Sequence, residues 1–566
     1  MNHLTEVLSD SLSQTDLIAT HPDWPRADFN RAVFHVSACL SKQQAQTVAL
    51  WFEDAALFAC AVLAAWHAGA RVLLPPNLAR ENVDWGDTAD AWLTDVPDEK
   101  AFAAISDRHR VLDIGALLES LPSAMESAGD WRIPAQAEAC LKTSGSSGEA
   151  QVVVKTAGQM QAEALALAAA LPFGQDALTV VGSVSPQHMY GFTFRFALTL
   201  TMGWTIYRSQ NAYPETLLAA AAAYPKSVWI ASPALLSRLG EARNWHSVGG
   251  KVAGIVSAGG VLPESTADLL EKYAVRPFEV YGSTETGVIA SRCFEREWRP
   301  FEVVEIGQDD EGALWAQSPW TEGRFQTADM VLRQGNGFSL LGRKDRVIKF
   351  EDKRVSLNQI EQDLLTHEWV ADAYCGQHPQ HRRIAVWAAL SEAGIAALQE
   401  KGRAEVVAAL KQHLAATQDT VALPRYWRFT DMLPRNAQSK ITAADFQHAF
   451  VEALTEPVWR QCLSENPEIH RFESRVPLDL VYFGGHFANF PLVPGVVELQ
   501  WVSDLAARFD WGRRSIVRVE NLKYQQFMRP NDQVFAELKY DAEKEKLTFK
   551  LLGTEAVFAS GRMVFG

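Results

Sequence analysis

Paired cysteines are missing from this sequence. Its six cysteines, Cys39, Cys60, Cys140, Cys293, Cys375 and Cys462, stand far apart and form no C-x-x-C pair. That spacing argues against a disulfide scaffold and against a thiolate zinc site, and it fits a reducing cytoplasm. Basic charge is also scarce: 53 Lys and Arg against 68 Asp and Glu leave a net charge of −15, which argues against broad binding to nucleic acid or anionic membranes. Long apolar runs are absent too. The most apolar stretch, 55–70, contains His67, ends in Gly69 and Ala70 with Arg71 next, and is too short to cross a bilayer. It reads as a buried helix followed by a strand from Arg71 to Pro75. The opening residues Met1 to Glu6 lack the basic-then-apolar pattern of a secretion signal, so a cytoplasmic location is expected.

What is present is a globular composition, 48% hydrophobic and 21% charged, in a chain of 566 residues. That is too long for one core, so two to four domains are expected. From about Leu50 to Val288, apolar runs alternate with helical stretches. Val180–Val184, Val228–Ala231, Val252–Ser257 and Phe278–Tyr281 read as short strands, and the alternation implies a mostly parallel sheet covered on both faces. Ligands of such sheets sit at the carboxyl ends of the strands. Near residue 340 the texture changes to a small α+β pattern, and after Thr455-Glu456-Pro457 it changes again. Strand-like alternation then surrounds one apolar helix, Val496 to Ala507. The boundaries read as a large domain 1–342, a small domain 343–448, a linker 449–464 and a last domain 465–566.

The stretch Thr143-Ser144-Gly145-Ser146-Ser147-Gly148 has the composition of an anion cradle: glycines for a tight backbone, hydroxyls and bare N–H groups as donors. A Gly/Ser turn would look similar in isolation. No Gly-Lys-Ser/Thr follows, so this is not a Walker loop. Together with Pro186-Gln187-His188-Met189-Tyr190-Gly191, Ala258-Gly259-Gly260, Tyr281-Gly282-Ser283-Thr284-Glu285-Thr286, Thr327-Ala328-Asp329, Gly342-Arg343-Lys344-Asp345 and Pro434 to Lys440, it resembles the ordered motifs of the AMP-forming adenylation superfamily, over roughly residues 20–448.

That resemblance implies a carboxylate activated by ATP with Mg²⁺. Thr143 to Gly148 would hold the β- and γ-phosphates, and Thr284 and Glu285 the α-phosphate and the metal. Tyr281 would stack on adenine, with Gly259 and Gly260 along its edge and Gly282 and Ser283 in the same motif. Asp329 would accept both ribose hydroxyls, Arg343 would add a ribose contact, and His188 would lie on the acid substrate. Lys440 would bridge carboxylate and α-phosphate as a flexible point charge, and Asp345 would be the hinge of a rotating small domain. Three departures stand out. Gln151 replaces the usual phosphate-loop lysine, with Lys155 the nearest substitute; Ser439 replaces a glycine before Lys440; Glu351-Asp352 replaces the glycine-containing turn of the pantetheine tunnel. The last favours a phosphopantetheine arm on an acyl carrier protein over free CoA.

Near the end, Gly485-His486-Phe487 through Pro494-Gly495-Val496 and Phe527 to Asp532 resemble the hot-dog-fold 3-hydroxyacyl-ACP dehydratases, implying a multidomain α/β and α+β protein whose last domain pairs as a homodimer. His486 would be the base, and the helix start at Gly495 and Val496 would supply donors for the thioester carbonyl. Where that family has an acid, this chain has Gln500, with Glu498 two positions earlier. Two helical residues rotate a side chain by about 200°, so the two face nearly opposite ways. The pairing of domains resembles the acyl-ACP synthetase and dehydratase of bacterial aryl-polyene pathways; a CoA ligase with a structural dimerising domain is the alternative.

Overall fold

Each apolar run placed in a strand forms one, within a residue or two of the expected limits at most ends. The structure, a computed structural model, describes all residues except 10, 106–109, 123–131, 144–150, 174–176, 295–296, 351–352, 436–440, 463–465, 467, 485–489 and 555. Among the described residues the chain divides into two compact units, Met1–Asp345 and the residues from Arg346 onward.

In the first unit, the single sheet implied by the alternation is two sheets. The first contains β1 (Thr47–Trp51), β2 (Arg71–Leu74), β3 (Ala91–Thr94), β4 (Val111–Asp113), β5 (Glu138–Lys142) and β6 (Val152–Thr156) in the order β4-β3-β1-β2-β5-β6. The second has β7 (Thr179–Gly182), β8 (Thr205–Tyr207), β9 (Ser227–Ala231), β10 (Val252–Ser257), β11 (Phe278–Ser283) and β12 (Gly287–Arg292) in the order β12-β11-β10-β9-β7-β8, extended by short strands at both edges. Alternation specifies strands and crossovers but not which strands become neighbours. The antiparallel pairing of β5 with β6 ends the first sheet, and the chain starts a second one.

Helix α1 (Ala55–His67) is apolar on all sides and almost wholly buried, as a core helix must be. Its start is fixed by Asp54, whose carboxylate accepts from Ala56 N at 2.7 Å and Leu57 N at 3.0 Å, an N-cap. Helix α2 (Ala157–Ala170) begins with a reciprocal Thr156–Gln159 capping box. A four-stranded antiparallel sheet completes the unit: β13 (Glu305–Gln308), β14 (Ala313–Gln317), β15 (Phe325–Gln334) and β16 (Gly337–Arg343).

The second unit combines two layers. The first packs helices α3 (Leu357–Leu365), α4 (Glu392–Leu414) and α5 (Ala443–Val451) with strands β17 (Val370–Gln377), β18 (Ile384–Leu390) and β19 (Tyr426–Thr430). The second is an antiparallel sheet of β20 (Arg460–Cys462), β21 (His470–Arg475), β22 (Ile516–Tyr524), β23 (Gln533–Asp541), β24 (Lys546–Leu552) and β25 (Val557–Phe565), ordered β20-β21-β23-β24-β25-β22. Helix α6 (Gly495–Ala506) buries Trp501, Val502 and Leu505 against Phe472, Ala536 and Phe549 of this sheet.

The two layers are fastened by polar contacts. Asp479, 5% exposed, accepts from Arg403 Nε at 2.6 Å and Phe429 N at 3.3 Å, while Arg403 also donates to Trp427 O. Gln399 donates to Pro530 O at 2.6 Å, and Leu478 joins the core of the first layer. Removing Asp479 takes the carboxylate partner from the Arg403 guanidinium and the side-chain acceptor from Phe429 N together. Asp479→Ala is therefore expected to destabilise this unit by about 3 kcal/mol and to sensitise the 449–464 segment to protease; an unchanged urea midpoint would refute the fastening role.

Candidate functional site

In the first unit the candidate residues collect at the carboxyl ends of the strands. Leu141 and Lys142 at the end of β5, Gln187, His188 and Met189, and Thr284 after β11 line one narrow cleft. Thr143, the first residue of the expected phosphate loop, donates from N to Gln151 O at 2.7 Å and from its hydroxyl at 3.3 Å, pinning the loop's two ends together. Ser144 to Gly148 lie outside the described residues. His188 is only partly covered, yet burial of its ring lowers the pKa to about 4, so it faces the cleft as a neutral donor–acceptor. The helix after it is anchored by Tyr190, whose hydroxyl reaches Val256 O at 2.7 Å and Ala231 O at 3.2 Å. Gly259 adopts φ +87°, with nothing within 4 Å of where a Cβ would stand; at Gly260 the nearest atom is Pro233 Cγ at 3.7 Å. The two glycines thus leave a flat, open edge.

A second cluster joins two sheets. The Tyr281 hydroxyl donates to Asp329 Oδ2, and the Arg343 guanidinium lies 3.5 Å from Asp329 Oδ1. Asp329 and Arg343 face each other across β15 and β16, and the backbone N–H of Asp329 is held by the Thr327 hydroxyl. Burial and the adjacent carboxylate push the Tyr281 phenol upward in pKa, so it remains a donor. A carboxylate, whose oxygens each accept more than one hydrogen bond, an arginine and an aromatic face form a polar set suited to a ribose and a purine ring. The turn between β11 and β12 is tied by Ser283 N to the Thr286 hydroxyl at 3.0 Å and Thr286 N to the Ser283 hydroxyl at 3.2 Å. Gly282 is required there, since a Cβ would come within 2.1 Å of Gly287 O.

Lys155 overturns one expectation. It is no substitute for the missing phosphate-loop lysine: it is 2% exposed and its ammonium donates to Glu285 O at 2.9 Å and Trp320 O at 3.1 Å. Period-two alternation on β6 turns it inward. Lys440 and Ser439 lie outside the described residues, as do Glu351 and Asp352; the side chain of Asp345 does too.

In the second unit His486 lies outside the described residues, but the helix meant to face it is described. Val496 is exposed, and the Tyr524 hydroxyl donates to Gly495 O at 2.7 Å. Its ring lies 2.4 Å from where a Gly495 Cβ would stand, so any larger residue there would have to displace Tyr524. Gln500 is exposed and donates to Asp504 on its own helix at 2.8 Å. Glu498 is the opposite: 4% exposed, with Oε2 lacking a hydrogen-bond partner among the described residues, and its pKa raised to about 7 by burial.

These geometries meet the family comparisons. A model described as AMP-binding enzyme matches residues 95–309, and one described as ApeI dehydratase matches residues 463–562. Over 305 residues the chain is 30% identical to a 4-coumarate–CoA ligase of Halorhodospira halophila, covering 53% of this chain and 73% of the relative. The chain belongs to the AMP-binding enzymes. This AMP-binding enzyme is also 24% identical over 251 residues to a 3,4-dihydroxybenzoate–[aryl-carrier protein] ligase of Bacillus anthracis, covering 42% of this chain and 58% of the relative. The o-succinylbenzoate CoA synthetase of Bacillus subtilis, solved with its acyl-adenylate, shares the fold: TM-score 0.67 at 18% identity, over 79% of this chain and 99% of that one. The large α/β domain is thus an adenylate-forming fold, followed by an ApeI-like domain. Among the described residues no helix is long and apolar enough to cross a membrane.

Glu498 gives a pH test. In the folded chain it keeps its proton up to about pH 7, whereas the unfolded chain releases it near 4.5. Stability is therefore lost as pH rises between those values, and the loss is complete above the folded pKa. Glu498→Gln should leave thermal stability unchanged at pH 4 and raise it above pH 7 by on the order of 2–3 kcal/mol. Equal shifts at both pH values would contradict the buried-acid assignment.

Proposed function

We propose that this protein activates a carboxylic acid with ATP and transfers the acyl group to a phosphopantetheine thiol, with an acyl carrier protein as acceptor, and that its last domain acts on 3-hydroxyacyl thioesters. The observation that carries the first part is the convergence of Tyr281, Asp329 and Arg343 beside a cleft shared by His188, Lys142 and Thr284. The substrate carboxylate attacks the α-phosphorus, the bond to the β-phosphate oxygen breaks, and pyrophosphate leaves with an acyl-adenylate behind. The thiol then adds to the acyl carbonyl, losing its proton, and AMP departs as the thioester forms.

In this reading Asp329 accepts the ribose hydroxyls, Arg343 orients that carboxylate, Tyr281 offers its ring to adenine, and Thr143 to Gly148 donate to the β- and γ-phosphates. Thr284 and Glu285 hold the α-phosphate side, where Mg²⁺ supplies charge neutralisation. Lys440 bridges the carboxylate and phosphate oxygens, and Asp345 serves as the hinge that moves it away before thiolation. Neutral His188 lines the acid pocket. The carrier-protein ligase among the relatives supports a carrier thiol as acceptor, and the coumarate and dihydroxybenzoate ligases support an aryl acid.

For the last domain, the long helix α6 on an antiparallel sheet supports a hot-dog fold. Edge strand β22 is exposed along nearly its whole length, including Val517, Val519 and Leu522, which supports pairing with a second copy through that edge. In the dehydration, His486 takes the α-proton, the donors at the start of α6 (Gly495 and Val496) steady the thioester carbonyl, and a buried acid gives a proton to the departing hydroxyl, which leaves as water. Burial makes Glu498 the better proton donor, while exposed Gln500 orients rather than donates. The domain pair suits aryl-polyene assembly, in which a loaded starter is elongated to 3-hydroxyacyl intermediates.

Intact-mass analysis of a holo-acyl carrier protein with Mg-ATP, hydroxybenzoic, hydroxycinnamic and medium-chain fatty acids, and free CoA in competition tests the reading. A mass gain on the carrier is expected, lost in Lys440→Ala with ATP binding retained; acyl-CoA beside an unmodified carrier would favour the CoA-ligase alternative instead. Val517→Lys with Val519→Lys is expected to shift the protein from dimer to monomer in sedimentation, and an unchanged mass would exclude β22 as the dimer edge.

A further inference from the structure

Strand β6 is inside out. Val152 and Val154 are exposed while Lys155 between them and the next element is buried, the reverse of what apolar burial would select. A buried ammonium is costly, and well-packed apolar replacements of buried charges are often neutral or stabilising, so stability alone does not account for a lysine here.

What the lysine touches does. Its ammonium donates to Glu285 O and to Trp320 O. The Trp320 indole donates to Val288 O at 3.1 Å, and the fully buried Glu163 accepts from Val288 N at 2.8 Å. Directly, or through Trp320, these links reach the backbone of Glu285 and Val288 in the turn that follows Thr284. Gly287 makes the approach possible, since at φ +64° a Cβ there would stand 2.8 Å from Glu163 Oε1 and 2.7 Å from the Trp320 ring. A lysine and a glutamate side chain thus hold the turn from beneath, while Thr284 at its start lines the cleft.

Resting on the adenylation reading, we propose that Lys155 is a positioning residue of the α-phosphate and metal site: anchored to the Glu285 and Trp320 carbonyls and balanced by Glu163, it sets the Thr284–Glu285 turn and places a cation behind it. Glu163 is the counter-charge and backbone acceptor, a role that glutamine can fill in part because its amide oxygen still accepts from Val288 N.

The test compares wild type, Glu163→Gln, Lys155→Met and the double variant. Acid-dependent ATP–pyrophosphate exchange is measured with 4-hydroxybenzoic, 4-hydroxycinnamic and octanoic acids over a Mg²⁺ titration, alongside thermal midpoints. Glu163→Gln should lose less than Lys155→Met, because its amide oxygen still accepts from Val288 N. Lys155→Met and the double variant should lose on the order of tenfold to a hundredfold in kcat and need more Mg²⁺ for half-saturation, with KM for the acid little changed. The double variant, free of an unbalanced buried charge, should keep the wild-type midpoint. Unchanged kcat and Mg²⁺ dependence in a folded double variant overturns the inference, as does an equal loss in Glu163→Gln, which would assign the effect to packing. A wild type with no exchange on any acid sinks the ligase reading and this inference with it, whereas active wild type with indifferent variants sinks the inference alone.

Discussion

Asp329 takes a hydrogen bond from Tyr281 on the nine-stranded sheet and an ion pair from Arg343 on the neighbouring strand of the four-stranded sheet. Both partners would clash or drift if either sheet slipped by a residue, because side chains alternate faces with period two. Register on β15 and β16 is held by pairings from Asp329–Arg343 to Gln334–Gly337, and Tyr281 sits where β11 shifts register against β12. The Tyr281–Asp329–Arg343 corner is thus a consequence of how two sheets are aligned. The cleft at Thr284 and His188 inherits its position from the same strand, since Thr284 follows Tyr281 by three residues.

Most of that arrangement was legible because its signals are local. A strand of Val, Ile and Ala followed by a glycine-rich loop declares itself in a few residues, which is why Val252–Ser257 has the limits read from sequence. The split into two sheets was not legible, because neighbour choice depends on contacts such as Arg71 with Thr47 and Glu138's strand with Val72's, far apart in sequence. Lys155 was misread for a related reason. A lysine four residues past Gln151 looks like a displaced phosphate ligand, and only the three-dimensional course of β6 shows that alternation turns it beneath the Glu285 turn. The opposed faces of Glu498 and Gln500, by contrast, follow from helix geometry alone, and the structure places one inside and the other in solvent.

The second unit answers a different constraint. Its two layers each have their own apolar core, with Leu478 the residue of the last segment that joins the other layer's core among the described residues. The association is specified by directional contacts: Arg403 on Asp479, Gln399 on Pro530 and Arg529 on Gln399. Gly402, at φ 81°, interrupts α4 beside these residues, giving the backbone the turn that a continuous helix would deny.

Three buried charges in this chain show how compensation separates their roles. Asp479 is met by a guanidinium and a backbone N–H, so its charge is satisfied and its effect is to fix one layer on another. Lys155 is met by neutral carbonyls, and burial lowers its pKa while Glu163, Glu285 and Glu322 act in the opposite direction, so its role rests on the two carbonyls it holds. Glu498 has an oxygen with no partner among the described residues, and burial alone raises its pKa to about 7. A carboxyl left unpaired in an otherwise apolar helix face is destabilising unless the group keeps its proton, and a carboxylic acid that keeps its proton near neutrality is what general acid catalysis requires. The two neighbours on α6 thus meet opposite demands: Glu498 is left uncompensated inside, while the Gln500 amide is engaged with Asp504 at the surface.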